Sequence, residues 1–142
     1  MILDARDVKI MVVEPDRTVL ELIQIRLGVA GYDIRTARSG ALALEVLRSF
    51  RPAAMVMELH MPEISGFDML RAMNPRGERL PFPVLVMARN LAADEIRRAI
   101  GLGARDCMTK PFSGTDVVER VARMLRREAA QQAAPVSAAA AA

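Results

Sequence analysis

The chain has 142 residues, a hydrophobic content of 52% and a formal net charge of +3, which suit one domain with a single core. No apolar run approaches the roughly 20 residues that cross a bilayer, and residues 1–7 lack the order of a signal peptide, so we expect no membrane span. Cys107 is the single cysteine, which excludes an internal disulfide and favours a reducing, cytoplasmic location.

Five short apolar runs predict the strands of a sheet. The run at 53–58 is apolar on both faces, which is typical of a central strand in a parallel sheet covered by helices. The run at 32–37 alternates polar and apolar residues and predicts an edge strand. In chain order the predicted strands cover residues 9–13, 32–37, 53–58, 82–88 and 104–109.

Helical segments follow each of these runs. Asp16 is placed to cap the first helix, which Gly28 and Gly31 close, and Ser113 or Thr115 is placed to cap the last. The helices between them are predicted at 40–50, 67–73 and 92–102. Strict alternation of strand and helix predicts one α/β domain, a doubly wound (βα)5 fold with a parallel five-stranded sheet and right-handed crossovers.

The two ends of the chain are predicted to lie outside this domain. We assign residues 1–8 to an amino-terminal lead, 9–127 to the domain and 128–142 to an Ala-rich tail. Alanine favours helix, so the last helix can continue toward Pro135, which should stop it, and we expect disorder beyond.

Glu58 is the first candidate for a functional residue. It ends the predicted central strand, just before a loop punctuated by Pro62 and Gly66. Ligands and chemistry in open α/β sheets collect beyond the carboxyl ends of the strands. We therefore expect the functional site around Glu58.

Several landmarks spread along residues 9–127 resemble the receiver domain of bacterial response regulators. They are Ile10-Met11-Val12-Val13-Glu14, Gly31-Tyr32, Ala37-Arg38-Ser39-Gly40, Met61-Pro62, Ser65-Gly66, Gly103-Ala104-Arg105-Asp106 and Lys110-Pro111-Phe112. The resemblance, closest to stand-alone chemotaxis-type regulators, implies a flavodoxin-like receiver fold. It also implies transfer of a phosphoryl group from a histidine kinase to an Asp after the third strand, with Mg²⁺ held by an acidic pair after the first.

The residues at those positions depart from the family pattern. The phosphoacceptor position is Glu58 rather than Asp, and the acidic pair falls on Glu14 and Pro15. Mg²⁺ needs near-octahedral oxygen ligands at about 2.0 to 2.1 Å, which a missing carboxylate and a lengthened one should disturb. We therefore expect no resident cofactor, and Glu14, Asp16 and Glu58 are the candidate ligands if a metal does bind.

The resemblance implies three further positions. Ala88 stands where the family has a hydroxyl that follows the phosphoryl group, and Cys107 stands in place of the aromatic switch residue. Lys110 keeps its identity. Because Glu58 reaches further than Asp, its carboxylate should approach Lys110, either holding the domain in one signalling state or forming only a residual ion pair at a decayed site.

Arginines on the last two helices and the last strand form a candidate partner or anion-binding surface. They are Arg97, Arg98, Arg105, Arg120, Arg123, Arg126 and Arg127, interleaved with acidic residues. The arginines either pair with those acids along solvated helices or grip phosphates, and a cyclic dinucleotide is then a candidate ligand.

The sequence as a whole predicts a signalling protein rather than an enzyme. Its phosphoacceptor site is degenerate, and it would act by binding a histidine kinase, a flagellar motor component or another signalling protein. Two alternatives remain open: an arginine-based sensor of a cyclic dinucleotide, and a working Mg²⁺-dependent phosphorelay receiver. Direct DNA binding is not expected, because no reader module follows the receiver segment.

Overall fold

A computed structural model describes residues 7–133 and contains one sheet of five parallel strands in the order β2-β1-β3-β4-β5. The strands alternate with five helices, as predicted, so the doubly wound (βα)5 fold is confirmed. The elements are β1 (Lys9–Val13), α1 (Arg17–Val29), β2 (Asp33–Ala37), α2 (Gly40–Leu47), β3 (Ala54–Glu58), α3 (Gly66–Met73), β4 (Val84–Ala88), α4 (Ala93–Gly101), β5 (Asp106–Thr109) and α5 (Gly114–Gln132).

The sheet separates two apolar layers. Alternate residues of β3 face opposite sides: Met55 and Met57 pack under α2 and α3, and Ala54 and Val56 pack under α1 and α5. Every residue of β3 and β4 is buried, whereas β2 alternates exposed and more buried residues, as expected of an edge strand. None of the helices in the described part of the chain is long and apolar enough to span a membrane.

Side-chain caps fix where the helices begin. The Oδ1 atom of Asp16 accepts hydrogen bonds from the backbone N–H groups of Thr18 and Val19, at 2.9 and 3.2 Å. Ser113, rather than Thr115, caps α5 by accepting from the N–H of Asp116 at 3.0 Å. These caps satisfy backbone donors that have no partner inside the helix.

The helix α5 extends beyond the predicted domain boundary at residue 127. The helix α5 runs on to Gln132, and the carboxylate of Glu128 accepts hydrogen bonds from Arg79 and Arg105 at 2.8 and 2.9 Å. Residues 128–132 are therefore attached to the domain. At the other end, Val8 also belongs to it, because its carbonyl accepts from the N–H of Asp33. The predictions for residues 1–6 and 134–142 lie outside the described residues.

Candidate functional site

The site lies at the carboxyl edge of the sheet, where the ends of three strands converge. Glu14 directly follows β1, Glu58 is the last residue of β3 and Lys110 directly follows β5. The backbone N–H of Lys110 donates to the carbonyl of Ala88 at the end of β4, and its side chain then crosses the end of that strand toward β3. Parallel pairing brings residues distant in sequence to one place.

Lys110 binds both carboxylates. Its Nζ atom donates to Oε1 of Glu58 at 2.7 Å and also donates to Oε1 of Glu14. All three residues are at least nine-tenths buried: Glu14 is 1%, Glu58 6% and Lys110 8% exposed. The ammonium group therefore lies between two carboxylates in a place that water scarcely reaches.

The second oxygen of each carboxylate is also hydrogen-bonded. Oε2 of Glu58 accepts from the backbone N–H of His60 at 3.0 Å, and Oε2 of Glu14 accepts from the N–H of Asp16 at 2.9 Å. Every oxygen of the two carboxylates thus has a donor, as buried charge requires. We call Glu14, Glu58 and Lys110 the carboxylate–lysine triad.

The charge state of the triad follows from these contacts. Burial works to lower the pKa of Lys110, but the hydrogen bonds and charges of Glu14 and Glu58 outweigh it and raise that pKa above its ordinary value. Lys110 is therefore a cation throughout the physiological pH range, and its charge offsets half of the negative charge of the two carboxylates.

The residues present do not fit the Mg²⁺ ion that the resemblance to receiver domains implies. Pro15 supplies no carboxylate, and the oxygens of Glu14 and Glu58 are turned toward Lys110 and backbone N–H groups. The side chain of Asp16 caps α1 instead. Within residues 7–133, no cluster of three acidic, His or Cys side chains has the arrangement to hold a metal ion.

Ala88 and Cys107 stand at two positions that the resemblance to receiver domains assigns to sensing a phosphoryl group. Ala88 is fully buried and has no side-chain hydroxyl. Cys107 is half-buried, and burial, with help from Asp106, raises the pKa of its thiol above the ordinary value despite the nearby Arg120. Neither side chain can make the hydrogen bond or aromatic contact that the family pattern places there.

The predicted arginine surface is largely engaged within the chain itself. Arg120 bonds to Asp116 and Asp106, each at 3.0 Å, and Arg123 shares Asp106 at 3.3 Å. Arg105 bonds to Glu128, and Arg98 lies over the ring of Phe67, 4.1 Å from its centroid. The three remaining members, Arg97, Arg126 and Arg127, are exposed. Four of the seven arginines are therefore already in contact with other side chains of the same chain.

A contact absent from the sequence-based predictions joins the site to α4. Nε2 of His60 lies 2.6 Å from Oε2 of Glu95, a distance at which a protonated nitrogen donates to the carboxylate. The side chain of His60 is 48% exposed, and no sequence pattern paired it with Glu95. Only the position of both residues at the carboxyl edge of the sheet hinted at the pair.

Comparisons with known proteins agree with this geometry. The family described as response regulator receiver domain matches residues 10–122. Response regulator MprA of Mycobacterium bovis is 34% identical over 127 residues, which cover 89% of this chain and 54% of that protein. The alkaline phosphatase synthesis transcriptional regulatory protein PhoP of Bacillus subtilis is 35% identical over 131 residues, which cover 91% and 52%. The chain thus spans about half the length of these curated relatives.

Solved structures show the same fold. Chemotaxis response regulator CheY4 of Vibrio cholerae superposes with a TM-score of 0.76 over 82% of this chain and 98% of that one, at 21% identity. A putative response regulator from Chloroflexus aurantiacus gives a TM-score of 0.75 over 83% and 97%, at 27% identity. The family match over most of the described residues, together with these relatives, confirms the resemblance: this chain belongs to the response regulator receiver domain family of two-component signalling.

Proposed function

We propose that this chain is a receiver domain that signals without phosphorylation at Glu58 and acts by binding a protein partner. The observation that carries the proposal is the carboxylate–lysine triad, in which Lys110 bonds to both Glu58 and Glu14 at a buried site. The cation that would assist a phosphoryl group is already neutralised by the residue at the phosphoacceptor position. The domain would then be held in one signalling state.

The residues at the positions of the attacking carboxylate, the metal ligand and the hydroxyl support this proposal. In-line phosphoryl transfer depends on placement of the attacking oxygen and the metal, and a misplacement near 1 Å can cost roughly a hundredfold in rate. Glu58 is one methylene longer than Asp, Pro15 has no carboxylate and Ala88 has no hydroxyl. Three changes at one site favour loss of the chemistry, so we propose a binding module rather than an enzyme.

The partner class follows from the family. Receiver domains of two-component systems interact with histidine kinases and other signalling proteins, and we propose a protein of this kind, or a motor component, as the partner. The single cysteine favours a cytoplasmic setting. A cyclic-dinucleotide sensor is less well supported, because Arg105, Arg120 and Arg123 already bond to acidic side chains of the same chain.

Amide NMR spectra of the full chain test the proposal. With Mg²⁺ and beryllofluoride, which mimics an aspartyl phosphate, the amides of Glu58, Ala88 and Lys110 should keep their positions. Saturable shifts at these amides would overturn the proposal and restore a phosphorelay receiver. In a parallel titration with a cyclic dinucleotide, shifts confined to Arg97, Arg98 and α5 would instead establish a second-messenger sensor.

A further inference from the structure

The helix α4 is attached to the core less firmly than its neighbours. Ala99 is its one buried residue, whereas α3 and α5 each bury four. An alanine side chain buries little apolar surface, and the hydrophobic effect scales with that area. The apolar residues Ile96 and Ile100 instead remain 36% and 46% exposed. The position of α4 therefore depends on other contacts to an unusual degree.

Polar contacts supply much of the attachment at the first turn of α4. Glu95 accepts from the backbone N–H of Ala92, the residue that precedes α4, at 3.4 Å, and its other oxygen lies 2.6 Å from Nε2 of His60. One turn further, the Arg98 guanidinium lies over Phe67 at the start of α3. Hydrogen bonding by His60 holds the pKa of Glu95 below its ordinary value, so this carboxylate is ionised.

His60 connects the same turn to the carboxylate–lysine triad. Its backbone N–H donates to Oε2 of Glu58 at 3.0 Å, while its ring contacts Glu95. The path from Lys110 to α4 thus consists of consecutive polar contacts through Glu58, His60 and Glu95. We call the ring contact the His60–Glu95 tether.

We propose that the His60–Glu95 tether couples the position of the Glu58 carboxylate to α4, and so fixes the surface that a partner reads. The proposal rests on the proposed function, in which Glu58 replaces a phosphoryl group, and it names how that site controls binding. A change that withdraws Oε2 of Glu58 frees the backbone N–H of His60. The loop then moves, the ring contact with Glu95 is lost, and the first turn of α4, with the exposed side chains of Ile96 and Ile100, is released.

The first test asks whether Glu58 and α4 communicate through His60. Glu58→Gln, recorded by amide NMR on the full chain, should shift the α4 amides from Glu95 to Gly101. The same substitution in a His60→Ala background should leave them in place. Equal shifts in both backgrounds would overturn the tether. If Glu58→Gln prevents folding, Glu58→Asp serves the same purpose, because it keeps the charge and withdraws it by about 1.5 Å.

Hydrogen exchange gives a second, independent measure. His60→Ala and Glu95→Gln should each lower the protection of α4 amides by about two- to fivefold, the size that an exposed charge pair supports, with α1 unchanged. The double variant His60→Ala, Glu95→Gln should lose no more of this protection than either single variant, because both remove the same contact. Asp94→Asn is the matched control, because it removes a negative charge from the same turn without touching His60. If Asp94→Asn lowers the protection of the α4 amides as much as Glu95→Gln does, the effect comes from the charge at the helix start and not from contact with His60, and the tether is overturned.

These outcomes separate the tether from the proposed function. Beryllofluoride shifts at Glu58 would contradict the proposed function whether or not α4 responds. If Glu58→Gln shifts the amide of Lys110 but leaves the α4 amides in place, the result would contradict the tether and leave the proposed function standing.

Discussion

The ammonium group of Lys110 lies 2.7 Å from Oε1 of Glu58, although 52 positions separate the two residues in sequence. Both are buried at the carboxyl edge of the sheet, where the family pattern places a phosphorylated Asp and its lysine. The extra methylene of Glu58 carries the carboxylate onto the lysine. Under the proposed function, this intramolecular anion takes the contact that a phosphoryl group would make.

Lys110→Met should be strongly destabilising. The substitution leaves Glu14 and Glu58 buried without their cation, and breaking a buried ion pair from one side costs about 3 to 5 kcal/mol. We expect urea-induced unfolding at pH 7 to show a loss of this order.

The control for this prediction removes the charges together. Lys110→Met combined with Glu14→Gln and Glu58→Gln leaves no buried charge at the triad, and it should recover most of the lost free energy of unfolding. A triple variant as unstable as Lys110→Met alone would show that packing around the lysine stem, and not charge, is what matters.

The main contact of the site could be predicted from the sequence, but not its full geometry. Strand ends in a parallel sheet share one edge, and the resemblance to receiver domains placed Glu58 and Lys110 at one site there, so their approach was expected. That Glu14 also binds Lys110 did not follow, because the reach of three flexible side chains depends on rotamers and on buried space. The pairing of His60 with Glu95 depends in the same way on how α4 sits against a loop.

The arginines show where sequence reasoning about charge fails. An Arg120–Asp116 pair four residues apart on one helix is readable from spacing. Asp106, on β5, binds Arg120 and Arg123 on α5, and Glu128 binds Arg79 from 49 positions away. Such pairs form only after the chain has folded. The sequence therefore left open whether the arginines pair with acidic residues or bind phosphates, and it placed the domain boundary before Glu128.

Glu58→Asp alone should not create a phosphorylation site. The shorter side chain restores one position, but Pro15 still offers no metal ligand and Ala88 no hydroxyl. With a small-molecule phosphodonor and Mg²⁺, intact-protein mass spectrometry should show no added phosphoryl group. The triple variant Glu58→Asp, Pro15→Asp, Ala88→Thr should gain one, because it supplies the missing carboxylate and hydroxyl.

Labelling of the parent chain at Glu58 would contradict this expectation, as would labelling of Glu58→Asp as extensive as that of the triple variant. The control for labelling elsewhere in the chain is Glu58→Asn combined with Pro15→Asp and Ala88→Thr, which has no carboxylate at position 58.

The Glu128 network should stabilise α5 in a pH-dependent way. Burial works to raise the pKa of Glu128, but Arg105 and Arg79 outweigh it and hold that pKa below its ordinary value. Because the folded-state pKa is lower than the unfolded one, the network contributes at neutral pH and its contribution falls as pH drops through and below about 4.5. Glu128→Gln should therefore cost up to about 1 kcal/mol at pH 7, since solvent screens the pair, and less at pH 3.

Urea unfolding at the two pH values measures this difference. Glu119→Gln is the matched control, because Glu119 lies on the same helix and forms no ion pair with the described residues. A Glu128→Gln effect that stays constant between pH 7 and pH 3 would show that the carboxylate stabilises through packing alone.

Two helical glycines should respond oppositely to alanine. A Cβ built on Gly66, the first residue of α3, would lie 2.7 Å from Cα of Leu59 and 2.8 Å from the carbonyl oxygen of Glu58. Those are backbone atoms at the end of β3, and relieving the clash would require the backbone to shift. Gly66→Ala should therefore lower the free energy of unfolding by about 1 to 3 kcal/mol. A Cβ on Gly28 in α1 meets nothing within 4 Å, so Gly28→Ala should raise it by up to about 1 kcal/mol. Parallel urea titrations measure both, and equal effects would contradict the close approach of α3 to the strand that carries Glu58.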